Sequence, residues 1–371
     1  MTKILPVIMC GGAGTRVWPE SRDSLPKQFI PLVSERSTFQ MLVDMLKDPL
    51  FEKPIVLTNV DYRFLVVDQL QAINAEADIV LEPMRRDSGP AVAVAAEMAA
   101  RRSPDAMVVV FAADHVVQDR PKLIQHCREA AEAAAAGAIV TLGIRPTGPA
   151  TGYGYIRAGE PLKEGSPVRK VEAFVEKPDL ATAQKYVAQG YFWNCGYFVF
   201  RADVMQGELD KYEPAMREAA AAAVEAARPD LKFIVLDAEA FGKAPKKSID
   251  YAVIERSDRL ALVPADIGWS DVGTWEAVWE LSNRDADGNS VRGHGVVLGG
   301  RNVHIRSDEH LTAVVGVEDV VVVTTQDAVL VLHRSKSDQV KALVDHLKAT
   351  NRREAAAAAV AAANPDLKFI V

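Results

Sequence analysis

Cys10-Gly11-Gly12-Ala13-Gly14-Thr15-Arg16, closed by Pro26-Lys27-Gln28-Phe29, is the most informative feature of this chain. It follows the apolar run Ile4 to Met9, which reads as a short buried strand. Gly11, Gly12 and Gly14 let backbone N–H groups approach a ligand without Cβ atoms in the way. Arg16 and Lys27 bring positive charge to the same loop. A strand, a glycine turn and two cations suggest a phosphate cradle, and hence a nucleotide. The spacing is neither Gly-x-x-x-x-Gly-Lys-Ser/Thr nor Gly-x-Gly-x-x-Gly, so neither common nucleotide loop is present. A glycine turn with two solvated cations is the plainer alternative.

Outward from this loop, strand-like runs alternate with helical ones. Ile55–Thr58, Ile79–Glu82, Met107–Ala112 and Ala138–Leu142 read as strands. Ser37-Thr38-Phe39-Gln40 offers a capping box before Met41–Leu46. Pro90 opens a helix to Arg102, and Pro121 opens an Ala-rich helix to Ala136. The alternation predicts an α/β fold, a mostly parallel, doubly wound sheet covered on both faces. Ligands of such sheets bind beyond the carboxyl ends of the strands, where the glycine loop and Asp114 both fall. From about Asn289, Val-rich runs broken by Gly, Asp and Asn predict a small all-β domain, as a partial β-helix or a sandwich. A helix from Ser337 to Thr350 follows. The expected division is 1–285, 286–350 and a tail 351–371. In that tail Arg353–Val371 repeats Arg217–Val235 with changes only at Glu225/Ala361 and Arg228/Asn364. The tail is expected to be a duplication without catalytic role, or else a docking or oligomer contact.

Composition narrows the function classes. The 371 residues are 49% hydrophobic and 25% charged, an ordinary globular balance. A net charge of −7 argues against a general nucleic-acid surface and leaves local cations to meet any polyanion. No apolar run approaches the roughly 20 residues of a membrane helix. Cys10, Cys127 and Cys195 lack Cys-x-x-Cys spacing and suit reduced thiols, so a cytoplasmic location is expected.

Further segments carry chemistry. Asp114 follows Val108–Ala113, and a carboxylate past a buried strand is placed to hold Mg²⁺ against a triphosphate; a helix cap is the alternative. Asp271, in Gly268-Trp269-Ser270-Asp271-Val272-Gly273-Thr274-Trp275, admits the same two readings, since Ser270 or Asp271 could cap the helix through Trp279. Phe174-Val175-Glu176-Lys177-Pro178 ends a strand from Arg169; alone it is a surface Glu–Lys pair.

The string Gly11-Gly12-x-Gly14-Thr15-Arg16-x-Trp18-Pro19 with Pro26-Lys27-Gln28-Phe29 resembles the signature of sugar-1-phosphate nucleotidyltransferases, and most of all their mannose-1-phosphate guanylyltransferase branch. The resemblance spans about Met1 to Leu347. It implies a Rossmann-like nucleotidyltransferase sheet, a C-terminal β-helix-like segment, and transfer of GMP from GTP to α-D-mannose 1-phosphate with pyrophosphate released. It makes Asp114 and Asp271 the ligands of Mg²⁺. It assigns Arg16 and the amides of Gly11, Gly12, Gly14 and Thr15 to the departing β,γ-phosphates, and Lys27 to the α-phosphate. Glu82-Pro83-Met84-Arg85-Arg86-Asp87-Ser88-Gly89 would lie against nucleobase and ribose, with Glu82, Arg86, Ser88 and Gly89 as nucleotide residues. Glu176 would contact sugar hydroxyls, Lys177 the sugar phosphate, and Asn194 and Gly154 the sugar. Lys247-Ser248-Ile249-Asp250-Tyr251 resembles a family segment near the sugar side.

The chain departs from the family pattern at three places. Ala112-Ala113 replaces the commoner Pro-Ser, and Cys195 stands where Ser is usual. Arg86-Asp87-Ser88-Gly89 replaces Arg-Asn-Thr-Ala, which bears on the choice of base. His115 is expected to be structural, because a phosphate monoester is already ionised at neutral pH. Too few residues follow Leu332 for a fused sugar isomerase barrel, so no isomerase activity is expected. A homodimer is compatible with the family. Two other functions stay open: transfer to a different sugar 1-phosphate, and a non-catalytic GDP-mannose sensor.

Overall fold

The computed structural model describes residues 3–12 and 14–355; residues 356–371, most of the duplicated tail, lie outside the described residues. By packing, the chain forms two units whose limits differ from a cut at 285. One comprises Met1–Gly11, Leu42–Ala113 and Val117–Trp269; the other comprises Gly12–Met41, Asp114–Val116 and Ser270–Val371.

The first unit is built on an eleven-stranded sheet. β1 (Ile4–Cys10) is apolar throughout and almost wholly buried, as a strand covered on both faces must be. It lies between β2 (Ile55–Asn59) and β4 (Met107–Ala112), parallel to both, with Val7 opposite Ile55 and Val110. β3 (Asp78–Glu82) extends the parallel set beyond β2. Two-residue strands β5 (Val116–Val117) and β13 (Trp269–Ser270) straddle the sequence limits of the units.

The doubly wound, parallel character belongs to this first half. Beyond β4 the sheet continues through β9 (Phe192–Arg201), β6 (Ile139–Ile144), β12 (Leu260–Ala265), β8 (Arg169–Val175) and β7 (Tyr155–Pro161). Here only β6 and β12 are parallel; β9 runs antiparallel to β4 and β6, so the sheet as a whole is mixed. At the other edge, β10 (Arg228–Asp230) and β11 (Phe233–Val235) form a hairpin whose second strand joins β3. This hairpin and the helix before it are the first copy of the repeated sequence.

Helix boundaries follow local chemistry. α1 (Thr38–Met45) has the expected box: Gln40 N–H donates to Ser37 Oγ at 3.1 Å, and Ser37 N–H to Gln40 Oε1 at 3.3 Å. α2 (Arg63–Ala72) follows β2. α3 (Ser88–Arg102) starts two residues before Pro90, which sits in the first turn where an N–H has no intrahelical partner. Its Ala- and Val-rich body is buried against α6 (Ala202–Tyr212) and α7 (Pro214–Glu225). α4 (Arg120–Ala135) is capped by Asp119, α5 (Leu180–Ala188) by Asp179 and α8 (Ala238–Gly242) by Asp237.

The second unit joins the phosphate-loop segment to the C-terminal strands. β14 (Ser290–Leu298), β15 (His304–Val315) and β16 (Val320–Thr324) are parallel, and β17 (Val329–His333) closes antiparallel on β16. Consecutive parallel strands are the mark of a β-helix; a sandwich would be antiparallel. Two expected runs, Val303–Ile305 and Leu311–Val317, merge largely into the single irregular β15. The closing helix α10 (Val340–Ala349) starts later than expected, because Arg334–Gln339 takes a 3₁₀ turn.

Trp18, Trp275, Val321, Val323, Leu330 and Val344 form this unit's main core together with α9 (Trp275–Leu281). Buried Arg22 forks onto Asp327, Nη2 to Oδ1 at 2.7 Å and Nη1 to Oδ2 at 3.0 Å. Arg306, also buried, pairs with Glu20 at 2.7 Å and donates to the Pro31 carbonyl.

Candidate functional site

The second unit gathers the phosphate-side residues. Gly14 opens a short 3₁₀ turn, Thr15–Val17, in the left-handed conformation at φ 58°. A Cβ there would come within 2.5 Å of Lys27 Cγ, so glycine is required both by backbone and by space. Gln28 donates to the Gly12 carbonyl at 3.0 Å and holds the loop in shape. Arg16 is exposed, whereas Lys27 is buried. The Lys27 ammonium lies 3.1 Å from Asp114 Oδ2 and donates to the backbone carbonyl of Asp271.

Neither aspartate is a helix cap. Asp119 caps α4 at the Lys122 N–H, and Thr274 Oγ1 caps α9 at the Ala277 N–H. Burial pushes the Asp114 carboxyl up, but Lys27, His115 and backbone donors overcome this and hold it below the usual carboxylate range. Burial lowers His115 below the ordinary imidazole range, with Asp114 opposing, so the ring is neutral at pH 7. Two carboxylates are a hard-oxygen donor set that fits Mg²⁺, which takes its other oxygens from water and phosphate. Among the described residues no group of three or more His, Cys, Asp or Glu could cage a metal, so a metal here would need ligand oxygens.

The first unit holds the remaining residues in two places. Glu82 ends β3, and its Oε2 lies 3.8 Å from where a Cβ on Gly11 would be. Burial raises its carboxyl to about 7. Ser88 and Gly89 are engaged structurally: Ser88 Oγ accepts from the Ile249 N–H at 3.0 Å, and Gly89 N–H donates to the Lys247 carbonyl at 3.0 Å. A Cβ on Gly89 would meet that carbonyl at 2.5 Å. Arg86 reaches the carbonyl of Gly242. Ser88 and Gly89 therefore tie this segment to 247–249, leaving Glu82 as its buried acceptor.

The second place is built around Gly154, Glu176 and Asn194. Glu176 is a buried carboxylate with its side chain 6% exposed, not a surface charge, and it pairs with the half-exposed Lys177 ammonium. Lys177 has φ 49° and donates its N–H to the Tyr153 carbonyl, which turns the chain sharply at the strand end. A Cβ on Gly154 would fall 2.5 Å from Glu176 Oε2 and 3.4 Å from Asn194 Cβ, so the two side chains converge over a bare backbone. Asn194 Oδ1 accepts from Thr141 Oγ1 at 2.8 Å and from the Gly196 N–H at 3.1 Å. Its Nδ2 donates to Asp250 Oδ1 at 3.2 Å. Cys195 is buried and burial pushes its thiol up to about 12, which excludes a thiolate nucleophile at neutral pH.

Sequence reasoning missed the individual roles of Thr141, Gln28 and Asp250. Asp250 stood inside a segment already singled out, but only the folded chain shows which of its five residues meets Asn194. No helix among the described residues is long and apolar enough to cross a membrane.

Comparison with known proteins gives a consistent picture. Residues 5–288 match the family model described as nucleotidyl transferase, and residues 293–347 match a MannoseP isomerase/GMP-like beta-helix domain. The chain is 44% identical over 96% of its length to the xanthan biosynthesis protein XanB of Xanthomonas campestris pv. campestris, covering 75% of that protein. It is 44% identical over 95% of its length to the mannose-1-phosphate guanylyltransferase of Escherichia coli K12, again covering 75% of that protein. Among solved structures, one from Thermus thermophilus, described as a mannose-1-phosphate geranyltransferase, matches at TM-score 0.83 and 31% identity. That match covers 94% of this chain and 100% of the other.

Proposed function

The chain belongs to the nucleotidyl transferase family, and we propose that it transfers GMP from GTP to α-D-mannose 1-phosphate, forming GDP-mannose and pyrophosphate. A phosphate oxygen of the sugar 1-phosphate attacks the α-phosphorus of GTP. The bond from that phosphorus to the β-phosphate oxygen breaks, and pyrophosphate leaves with the electron pair. No proton needs to move and no covalent enzyme intermediate forms. Positioning and charge stabilisation are what such a step requires of the protein.

Each residue has a role on this reading. The amides of Gly12 and Gly14 and the side chain of Arg16 hold the leaving phosphates. Lys27 answers the charge gathering at the α-phosphate, and Lys177 steers the incoming one. Glu82, as the buried acceptor, suits the two adjacent N–H groups of the guanine edge. Asp114 and Asp271 would hold Mg²⁺, which when bound neutralises phosphate charge. Glu176 and Asn194 meet the sugar. Three buried cysteines, none of them in a disulfide, suit the reducing cytoplasm.

The observation that carries the proposal is the Lys27 ammonium meeting both Asp114 and the Asp271 backbone. A protein that only binds a nucleotide sugar has no need of a buried cation poised between the Asp114 carboxylate and the backbone carbonyl of Asp271. The test is pyrophosphate release with GTP, ATP and UTP against a panel of hexose 1-phosphates. Turnover greatest with GTP and mannose 1-phosphate is expected. Greater turnover with another pair would reassign the substrate, and no release with any pair would leave a nucleotide-sugar sensor.

A further inference from the structure

We propose that Val272 is a positioning residue for the reaction: its left-handed backbone turns two successive carbonyls onto the Lys27 ammonium and so fixes where that charge sits. The inference rests on reading Lys27 as the cation that faces the α-phosphate.

An ammonium has three N–H donors and no acceptor. Those of Lys27 meet Asp114 Oδ2, the Asp271 carbonyl and the Val272 carbonyl, the last at 3.4 Å. Every donor thus has a direction, and two of the three directions come from one pair of neighbouring residues. The carbonyls hold the ammonium without neutralising it. Asp114 is the charged partner, the one whose place a phosphate oxygen can take while the carbonyls keep the ammonium in position.

Neighbouring carbonyls of an extended chain point away from each other, so one cation collects both only where the chain turns between them. Val272 makes that turn at φ 45°. The conformation is unfavourable for any residue with a Cβ, and most of all for a β-branched one. Among the described non-glycine residues with positive φ, Val272 alone is β-branched and alone is buried.

Two sets of contacts hold the turn against that strain. The Val272 side chain is fully buried, in the core that contains Val17, Trp18, Trp275 and Val278. Its N–H donates to Ser270 Oγ at 3.2 Å, and the next N–H, that of Gly273, donates to Asp271 Oδ1 at 3.2 Å. A Cβ on Gly273 would lie 2.6 Å from Asp271 Oδ2, so the carboxylate and the turn share one tight space. Strain enforced by its surroundings in this way clusters where a group must be held in place. What the strained turn supplies here is the carbonyl pair on Lys27.

The experiment compares wild type with Val272→Ile, Val272→Ala and Val272→Gly. It reads kcat, both KM values, Tm, and the rate at which acetic anhydride acetylates Lys27, followed by peptide mass spectrometry. Val272→Ile keeps the branch and the burial and should match wild type. Val272→Ala keeps a Cβ but loses most of the anchor, so the turn relaxes. Its kcat should fall about tenfold or more with both KM values little changed, and Lys27 should be acetylated several-fold faster. Glycine takes a positive φ freely. Val272→Gly should therefore have the lowest Tm, yet recover several-fold over Val272→Ala in both kcat and protection of Lys27.

Activity that falls in step with Tm from valine through alanine to glycine would overturn the proposal, as would wild-type kcat and protection in Val272→Ala. Acetylation needs no turnover, so it separates this proposal from the parent reading. The crossed order in acetylation, with no pyrophosphate released by wild type, supports the placement of Lys27 and overturns nucleotidyl transfer. Normal wild-type turnover with acetylation that merely follows Tm overturns the placement alone.

Discussion

Lys27 Nζ stands 3.1 Å from Asp114 Oδ2 with its aliphatic stem pressed beneath Gly14, where a single added methyl would strike it. The glycine and the lysine are one device: the stem that carries the ammonium to Asp114 fills the space a Cβ at Gly14 would need.

Lys27→Ala is accordingly expected to lower kcat by about 10²–10³, the usual effect of losing one electrostatic contact to a reacting phosphate. Gly14→Ala should approach that loss while keeping the lysine, since its Cβ displaces Lys27 and its φ of 58° strains the loop. Pyrophosphate release with both variants, beside circular dichroism to verify folding, checks this. Full activity in Gly14→Ala would contradict it.

Asp271 and Thr274 make a contrasting pair. Thr274 caps α9, so Thr274→Ala should cost about 1 kcal/mol of stability and leave turnover nearly intact. Asp271→Asn should do the reverse, with Tm close to wild type, turnover cut by about a hundredfold and a higher Mg²⁺ requirement. Thermal melts and Mg²⁺ titrations of the two variants distinguish the roles.

Glu82 predicts a pH dependence on the nucleotide side. Burial raises its carboxyl to about 7, so below that pH the group is largely protonated and has lost acceptor capacity. The KM for GTP should therefore fall as pH rises from about 6 to about 8. Glu82→Gln should flatten this profile and weaken discrimination between GTP and ATP, measured as the ratio of kcat/KM values.

His304 predicts a pH dependence of stability instead. It is buried beside Trp275, and neither ring nitrogen has a hydrogen-bond partner. Burial, then Arg306, lower its pKa from 6.5 to about 4. The unfolded chain thus takes up this proton first, so stability is whole above pH 6.5 and declines as pH falls toward 4, by up to about 3 kcal/mol. His304→Phe should flatten Tm against pH over that interval.

Much of this was legible before folding, and the reasons differ from place to place. Ser37 and Gln40 announced α1 because a capping box is local chemistry. The apolar runs of β1 and β4 announced a sheet buried on both faces. Asp271 was ambiguous because Ser270, Asp271 and Thr274 are all residue types that cap helices, and only the backbone path shows that Thr274 is used. The antiparallel insertion of β9 between β4 and β6 was illegible, since strand partners distant in sequence leave no periodic mark. The late start of α10 reflects a 3₁₀ turn that the same polar residues could equally have made α-helical. Asp250 was hidden for a different reason: its partner Asn194 lies on β9, 56 residues away in sequence.

The ion pairs Arg22–Asp327 and Arg306–Glu20 bear on how the chain tolerates change. Glu20 and Arg22 both lie between Arg16 and Lys27 in sequence, so the segment carrying the two phosphate cations is stitched at mid-length to β15 and to the turn before β17. A protein cut at 285 would keep every residue assigned to chemistry and lose both stitches, exposing Arg22 and Glu20 as severed ends of buried pairs. The C-terminal strands are thus the splint of the phosphate loop, and damage there should read out as a catalytic defect.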